Sequence, residues 1–146
     1  MDNDRLIEII ELINKRYTEK FVKQAFTLLL LLFKNIINKP GEDKFRILNL
    51  NNNNIKNKVL IIKETIDFVQ AIGYYDSGKD TMRFDGSPQT LTEVVGMLNM
   101  YIEELDKKIK IILQEEEKMM QELKESNQRA ENKQQVEEVN CIKVSE

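Results

Sequence analysis

Histidine and tryptophan are absent from all 146 residues, and cysteine occurs once, at Cys141. Without an imidazole, Ser-His-Asp and Cys-His nucleophiles and every His-containing metal site are excluded. A single thiol makes neither an internal disulfide nor a multi-cysteine zinc site, and a reduced cytosolic or nuclear setting is expected. Carboxylates do not fill the gap: Glu103 and Glu104 are adjacent on a helical pattern and read as a solvated face, not as a convergent acid–base pair. Nothing in the sequence points to a catalytic residue, a metal or a cofactor. Lysines are scattered with no basic aromatic stripe, so nucleic acid is not an expected partner. Long apolar runs are also missing. The strongest, "AFTLLLLLF" from Ala25 to Phe33, is short of the roughly 20 residues that span a bilayer and reads as part of a buried central helix. The start, "MDNDRLIEII", is acidic and then amphipathic, unlike a secretory signal.

What is present suits one soluble domain: 41% apolar and 32% charged residues, with a core of Leu, Ile and Phe. The net charge of −3 is uneven, with 12 basic and 7 acidic side chains in residues 1–63, and 10 basic and 18 acidic in 64–146. The first half, at +5, suits an acidic partner. Leu6, Ile9, Ile10, Ile13 and Tyr17 recur at helical spacing behind Asp4 as N-cap, which predicts a helix from Arg5 to about Arg16. Thr18 caps a second helix, apolar on nearly all sides and expected to be almost fully buried from Leu28 to Phe33; it must end near Asn38, before Pro40. "KFRILNL" alternates and predicts a strand over 45–50, with Phe45, Ile47 and Asn49 on one face. "KETIDFVQAIG" is a short helix stopped by Gly73. Asp-Ser-Gly-Lys between aromatics in "YYDSGKDTMRF" predicts a hairpin over 74–84. These elements make a mostly helical α+β domain with a three-stranded antiparallel sheet and a long C-terminal helix.

That last helix is expected to start from a Thr90–Glu93 capping box. Leu91, Val95, Leu98, Ile102, Leu105, Ile109, Ile112, Glu116, Met119 and Leu123 then step by four and three, and nine of the ten are apolar. Two readings stay open for this heptad seam: its first half packs on the domain and the rest is solvated, or the part past Leu105 pairs with another chain as a homodimer. The expected organisation is a domain over 1–105, a helical extension over 106–126 and a disordered tail over 127–146.

Between the second helix and the third lies "KNIINKPGEDKFRILNLNNNNI", Lys34 to Ile55, which crowds asparagines around one aromatic. Asn35, Pro40, "EDKFRILNLNN", Ile55, Val59 and "AIGYY" at 71–75 resemble, in order and spacing, the PUB domain. That family is named for peptide N-glycanases and UBA- or UBX-containing proteins. The match runs without a gap from about Leu30 to Tyr74, and more loosely from Thr18 to Leu105.

The resemblance implies a non-enzymatic adaptor. Its groove would bind the short acidic C-terminal tail of valosin-containing protein, the AAA ATPase of the ubiquitin–proteasome and ER-associated degradation pathways, in the cytoplasm or nucleus. Asn35 and Asn52 match family asparagines. Phe45 stands where the family usually has Tyr, and Asn49 where peptide N-glycanases have Arg. Lys44, Arg46, Lys56 and Lys58 are the cations available to replace that charge. Ile61 and Glu64 replace a family Pro and Gly. The implied peptide-binding residues are therefore Asn35, Phe45, Asn49 and Asn52. Asparagine offers a donor and an acceptor to a docked peptide bond, and Phe45 a flat apolar wall. The alternative is a coiled-coil scaffold in which the globular part is a structural cap.

Overall fold

The computed structural model describes residues 2–126 with their side chains. In order, the elements are α1 (Asn3–Arg16), α2 (Glu19–Asn38), a 3-10 turn (Asp43–Arg46), β1 (Ile47–Asn49), α3 (Asn53–Lys58), α4 (Glu64–Ile72), β2 (Tyr75–Gly78), β3 (Thr81–Arg83) and α5 (Pro88–Ser145). The chain divides into two compact units, Met1–Lys108 and Ile109–Glu146. The expected tail at 127–146 lies outside the residues whose side chains are described. The α+β class is as expected: a mostly helical domain around a three-stranded antiparallel sheet in the order β1-β3-β2.

In the first unit, α1 buries Leu6, Ile9, Ile10 and Ile13 against α2 and α4. Its N-cap is Asp2, whose side chain accepts from the Arg5 N–H at 3.3 Å. The expected cap, Asp4, lies inside the first turn, where a carboxylate still favours the helix dipole. Aromatic rings fill the centre. Phe26 stacks on Phe68 at 6.5 Å between centroids. Tyr74 lies 6.2 Å from Phe33 and 5.3 Å from Phe84. The N-terminal part of α5 closes this core with Leu91, Val94, Leu98 and Leu105.

Three local expectations change. The strand predicted over 45–50 is only Ile47–Asn49, and Phe45 sits on the preceding 3-10 turn; the alternation survives, with Leu48 inward and Ile47 and Asn49 outward. The hairpin turns at Lys79 and Asp80, later than Asp-Ser-Gly-Lys suggests, because Asp80 takes the left-handed conformation at φ 59° and a bulge offsets the register between Asp76 and Gly78. Asp tolerates that conformation better than most side chains. Finally, α5 starts at Pro88, with Ser87 accepting from the Gln89 N–H at 3.1 Å. Pro at the first helical position, behind a Ser cap, displaces the Thr90 box.

The largest correction concerns α2. Only Val22, Ala25, Phe26, Leu29, Phe33 and Ile36 are buried. Leu31 is 56% exposed and Phe21 51%. Composition and length alone would also allow this helix to cross a membrane; here its buried face packs on α1, α3 and the 3-10 turn. Lys20, Gln24, Thr27 and Lys34 recur at helical spacing on the exposed side, and Leu31 completes that line inside the run of five leucines.

Glu64 is 6% exposed and holds α4 to α1 through Arg16, whose Nη1 donates to its Oε1 at 2.6 Å. Burial pushes the Glu64 carboxyl up, but the Tyr17 hydroxyl and the Arg16 guanidinium outweigh it, and the net shift is downward. A carboxyl depressed in the folded state stabilises above its unfolded pKa, about 4.3, and that stability is lost as pH falls through the folded value. Arg16→Met should therefore destabilise at pH 7 by about 1–3 kcal/mol, less than a fully buried pair because Arg16 is itself largely exposed. With its cation gone, Glu64 binds a proton more readily folded than unfolded, so the gap between variant and wild type should narrow near pH 4. Urea denaturation at pH 7 and pH 4 checks this; a gap that is constant or wider at pH 4 refutes it.

Candidate peptide-binding site

The site begins where α2 stops. Pro40 cannot continue the helix, so Lys39 leaves it and donates its N–H to the Asn35 carbonyl at 3.0 Å. The chain then needs partners for its turn carbonyls. Arg46 supplies them: Nε donates to Pro40 O at 3.1 Å, and Nη1 to Phe84 O at 3.1 Å and to Gly86 O at 3.0 Å. Arg46 is thus a brace between the turn and the segment after β3. Of the four cations considered for the missing family charge, it is the one committed elsewhere.

A second arginine fixes the 3-10 turn from the sheet side. Arg83 on β3 makes a fork to Asp43, with Nη1–Oδ2 at 3.0 Å and Nη2–Oδ1 at 2.6 Å, and its Nε reaches Asp85 Oδ1 at 2.6 Å. The Tyr75 hydroxyl from β2 donates to the other Asp85 oxygen. The Arg83 hydrogen bonds hold the Asp43 carboxyl below its usual range, and those from Tyr75 and Arg83 do the same to Asp85. The Asp85 hydrogen bond raises Tyr75. Two parallel N–H···O bonds give an orientation that a single lysine contact would not. Phe45 is carried by the turn so pinned, half-buried against the core, with Lys44 Nζ 5.2 Å from its ring centroid.

The asparagines turn out to do local work first. Asn49, exposed on β1, accepts from the Asn51 N–H at 3.0 Å. Asn51 donates from Nδ2 to Asp80 Oδ2 at 3.0 Å, tying this loop to the hairpin turn. Asn52 is the N-cap of α3, its Oδ1 accepting from Asn54 N at 2.9 Å and Ile55 N at 3.3 Å. Such turns and caps are what asparagine is selected for, a signal present in the sequence but not used in the groove reading. The carbonyl oxygens of Asn49 and Asn52 are therefore engaged. Their Nδ2 groups, and the whole Asn35 amide, make no hydrogen bond among the described residues.

Asn35 lies in the last turn of α2, Phe45 on the 3-10 turn, Asn49 on β1, and Asn52 at the start of α3. Helix α2 packs on both the 3-10 turn and α3, and the turn packs on β1, so these four elements are contiguous. Strand β1 is an edge of the sheet, and its outer backbone groups face away from β3. Asn35, Phe45, Asn49 and Asn52 supply one aromatic ring and three side-chain amides, and β1 supplies a strand edge. Missed from sequence were the braces, Arg46 and the Arg83–Asp43–Asp85–Tyr75 cluster. Arg83 and Asp43 are 40 residues apart in the chain, with no periodicity to connect them.

Residues 19–121 match the family model described as PUB domain. A search of curated proteins finds no match.

Proposed function

With more than half its length matched by the family model, the chain belongs to the PUB domain family of protein-interaction modules, and from that premise we propose that it docks the short acidic C-terminal tail of valosin-containing protein. The observation that carries this reading is the Arg83–Asp43 fork. It fixes the turn bearing Phe45, which packs on α2 and β1, and on this reading a short extended peptide would use that ring as its apolar wall and the asparagine amides as donors. Lys44 beside Phe45 is the cation best placed to meet an acidic tail. On this reading the protein is a cytoplasmic adaptor that recruits the ATPase in the ubiquitin–proteasome pathway.

The test is a calorimetric titration of the full chain with an acidic tail peptide and with a copy whose aromatic residue is Ala. A micromolar Kd, about −8 kcal/mol at 1 μM, and at least tenfold weaker binding of the second peptide are expected. Equal binding of the two, or none of either, overturns the reading. A second reading, pairing of chains through the α5 extension, is favoured by exposed Leu113, Met119 and Leu123 beyond the first unit.

A further inference from the structure

Helix α2 keeps one face outside the core, and that face sets Phe21, Leu28 and Leu31 among polar side chains that include Lys20, Gln24, Thr27 and Lys34. Phe21, Leu28 and Leu31 lie along it with Gln24, lining a groove of about 830 Å³. Two of these apolar residues are more than half exposed, Phe21 at 51% and Leu31 at 56%. Phe21 to Leu31 covers roughly 15 Å at 1.5 Å per residue, the length of an occupant helix of about three turns. Lys20, Lys23, Lys34 and Lys58 rim the groove, and no Asp or Glu is among its described lining residues. Lys23 is paired with Asp106 at 2.5 Å; Lys20, Lys34 and Lys58 make no ion pair among the described residues. A surface that is apolar along its middle and cationic at its edges asks for an amphipathic helix with an acidic flank.

The second unit of this chain holds such a helix. Along residues 109–126, Ile109, Ile112, Leu113, Met119, Met120 and Leu123 share one side at helical spacing. Met119 is 66% exposed and Leu123 63%. Glu115 and Glu122 give this stripe one acidic flank; the other flank mixes Lys110, Glu117 and Lys124, and Glu116 stands within the stripe. Glu116 bears on how two extensions could pair. In an in-register parallel pair of extensions it would face its own copy across the seam, and like charges there oppose pairing.

We propose that the groove on α2 is a self-association site that takes the helix 109–126 of a second copy of this chain. The apolar stripe covers Phe21, Leu28 and Leu31, and the flank of Glu115 and Glu122 meets Lys20, Lys34 and Lys58. The contact joins two different surfaces, so exchange in both directions closes a dimer, and exchange in one direction extends a chain of copies. The site does not use Phe45, Asn49 or Asn52, and the inference stands whether or not the tail of the ATPase binds.

The test uses the full chain, with sedimentation velocity from 1 to 200 μM and binding of a labelled synthetic peptide of residues 109–126. Wild type is expected to associate in this range and to bind the peptide. Phe21→Ser with Leu31→Ser replaces exposed side chains only; it should leave the thermal midpoint of the monomer unchanged and weaken peptide binding at least tenfold. Lys20→Glu with Lys34→Glu should weaken it similarly, and a peptide carrying Glu115→Lys and Glu122→Lys should recover affinity for that variant. Monomeric wild type at 200 μM overturns the proposal. So does association that survives Phe21→Ser with Leu31→Ser, the result expected if two extensions pair with each other. Failure of the reversed charges to restore binding overturns the assigned contact.

Discussion

Phe84→Ala is expected to lower the unfolding free energy by about 3–5 kcal/mol, the range for removing a buried aromatic ring. Phe84 is 1% exposed. Its ring stacks near Tyr74, and the space around it is tight: a Cβ added at Gly86 would lie 2.5 Å from its Cζ, and one at Gly73 would lie 3.3 Å from its Cε2. Gly73 also ends α4 at φ 132°, a conformation side chains rarely adopt. Two glycines thus shape a slot for one ring, and the slot cannot close when the ring is gone. At about 4 °C or more per kcal/mol for a domain near 100 residues, the melting midpoint should fall by at least about 12 °C. The consequence reaches the proposed peptide site, because the Phe84 N–H donates to Arg46 O at 2.9 Å and its carbonyl accepts from Arg46 Nη1. Ile47→Ala, on the exposed face of β1, should cost less than about 1 kcal/mol. Thermal and urea melts of both variants at low micromolar concentration check the pair. A loss below about 1 kcal/mol for Phe84→Ala would mean the slot relaxes, and that the ring does not couple sheet and turn.

Much of this framework can be read from spacing alone, and the reasons are local. Leu6, Ile9, Ile10 and Ile13 repeat at the helical period, so α1 announces both its conformation and its buried side. Gly73 marks the end of α4 because its backbone geometry excludes most other residues. Ile47, Leu48 and Asn49 alternate because a strand between core and solvent must. What spacing does not show is decided by distant partners. Arg16 meets Glu64 across 48 residues and Arg83 meets Asp43 across 40; neither pair has a pattern within its own element. Helix α2 is opaque for the opposite reason. Within its run of leucines, Leu28 to Leu32, hydropathy does not choose among residues, and the exposed polar line of Lys20, Gln24, Thr27 and Lys34 is interrupted there by Leu31. Asn52 shows how one residue conceals two roles. The family resemblance implies a groove residue, while its place before a short helix makes it a cap, and the structure gives its oxygen to the cap and leaves its amide N–H groups without a partner among the described residues.

That division of labour determines how the peptide site must be tested. Phe45→Ala is expected to weaken binding of the acidic tail peptide by about 2 kcal/mol or more, roughly thirtyfold, because a central aromatic wall carries a disproportionate share of a small interface. Asn35→Ala should cost about 1–3 kcal/mol of binding by leaving peptide groups unpaired, with the fold intact, since the Asn35 side chain braces nothing else among the described residues. Asn52→Ala is a poor probe: it removes the α3 cap, worth about 0.5–2 kcal/mol of stability, along with any peptide contact. Asn52→Ser keeps a cap oxygen and deletes only the amide donor, so weakened binding by a variant of unchanged stability would isolate the contact. Asn49→Arg restores the charge found in peptide N-glycanases at the exposed edge of β1. It should tighten binding of the acidic peptide, and raising the salt should erase most of the gain, since an exposed charge acts over roughly 10 Å at 0.1 M ionic strength. Calorimetric titration of the four variants against one peptide, each with a parallel melt, separates these effects. Unchanged affinity in Asn35→Ala and Asn52→Ser together would remove the end of α2 and the start of α3 from the groove. A gain in Asn49→Arg that persists in high salt would mean the arginine acts by packing, not by its charge.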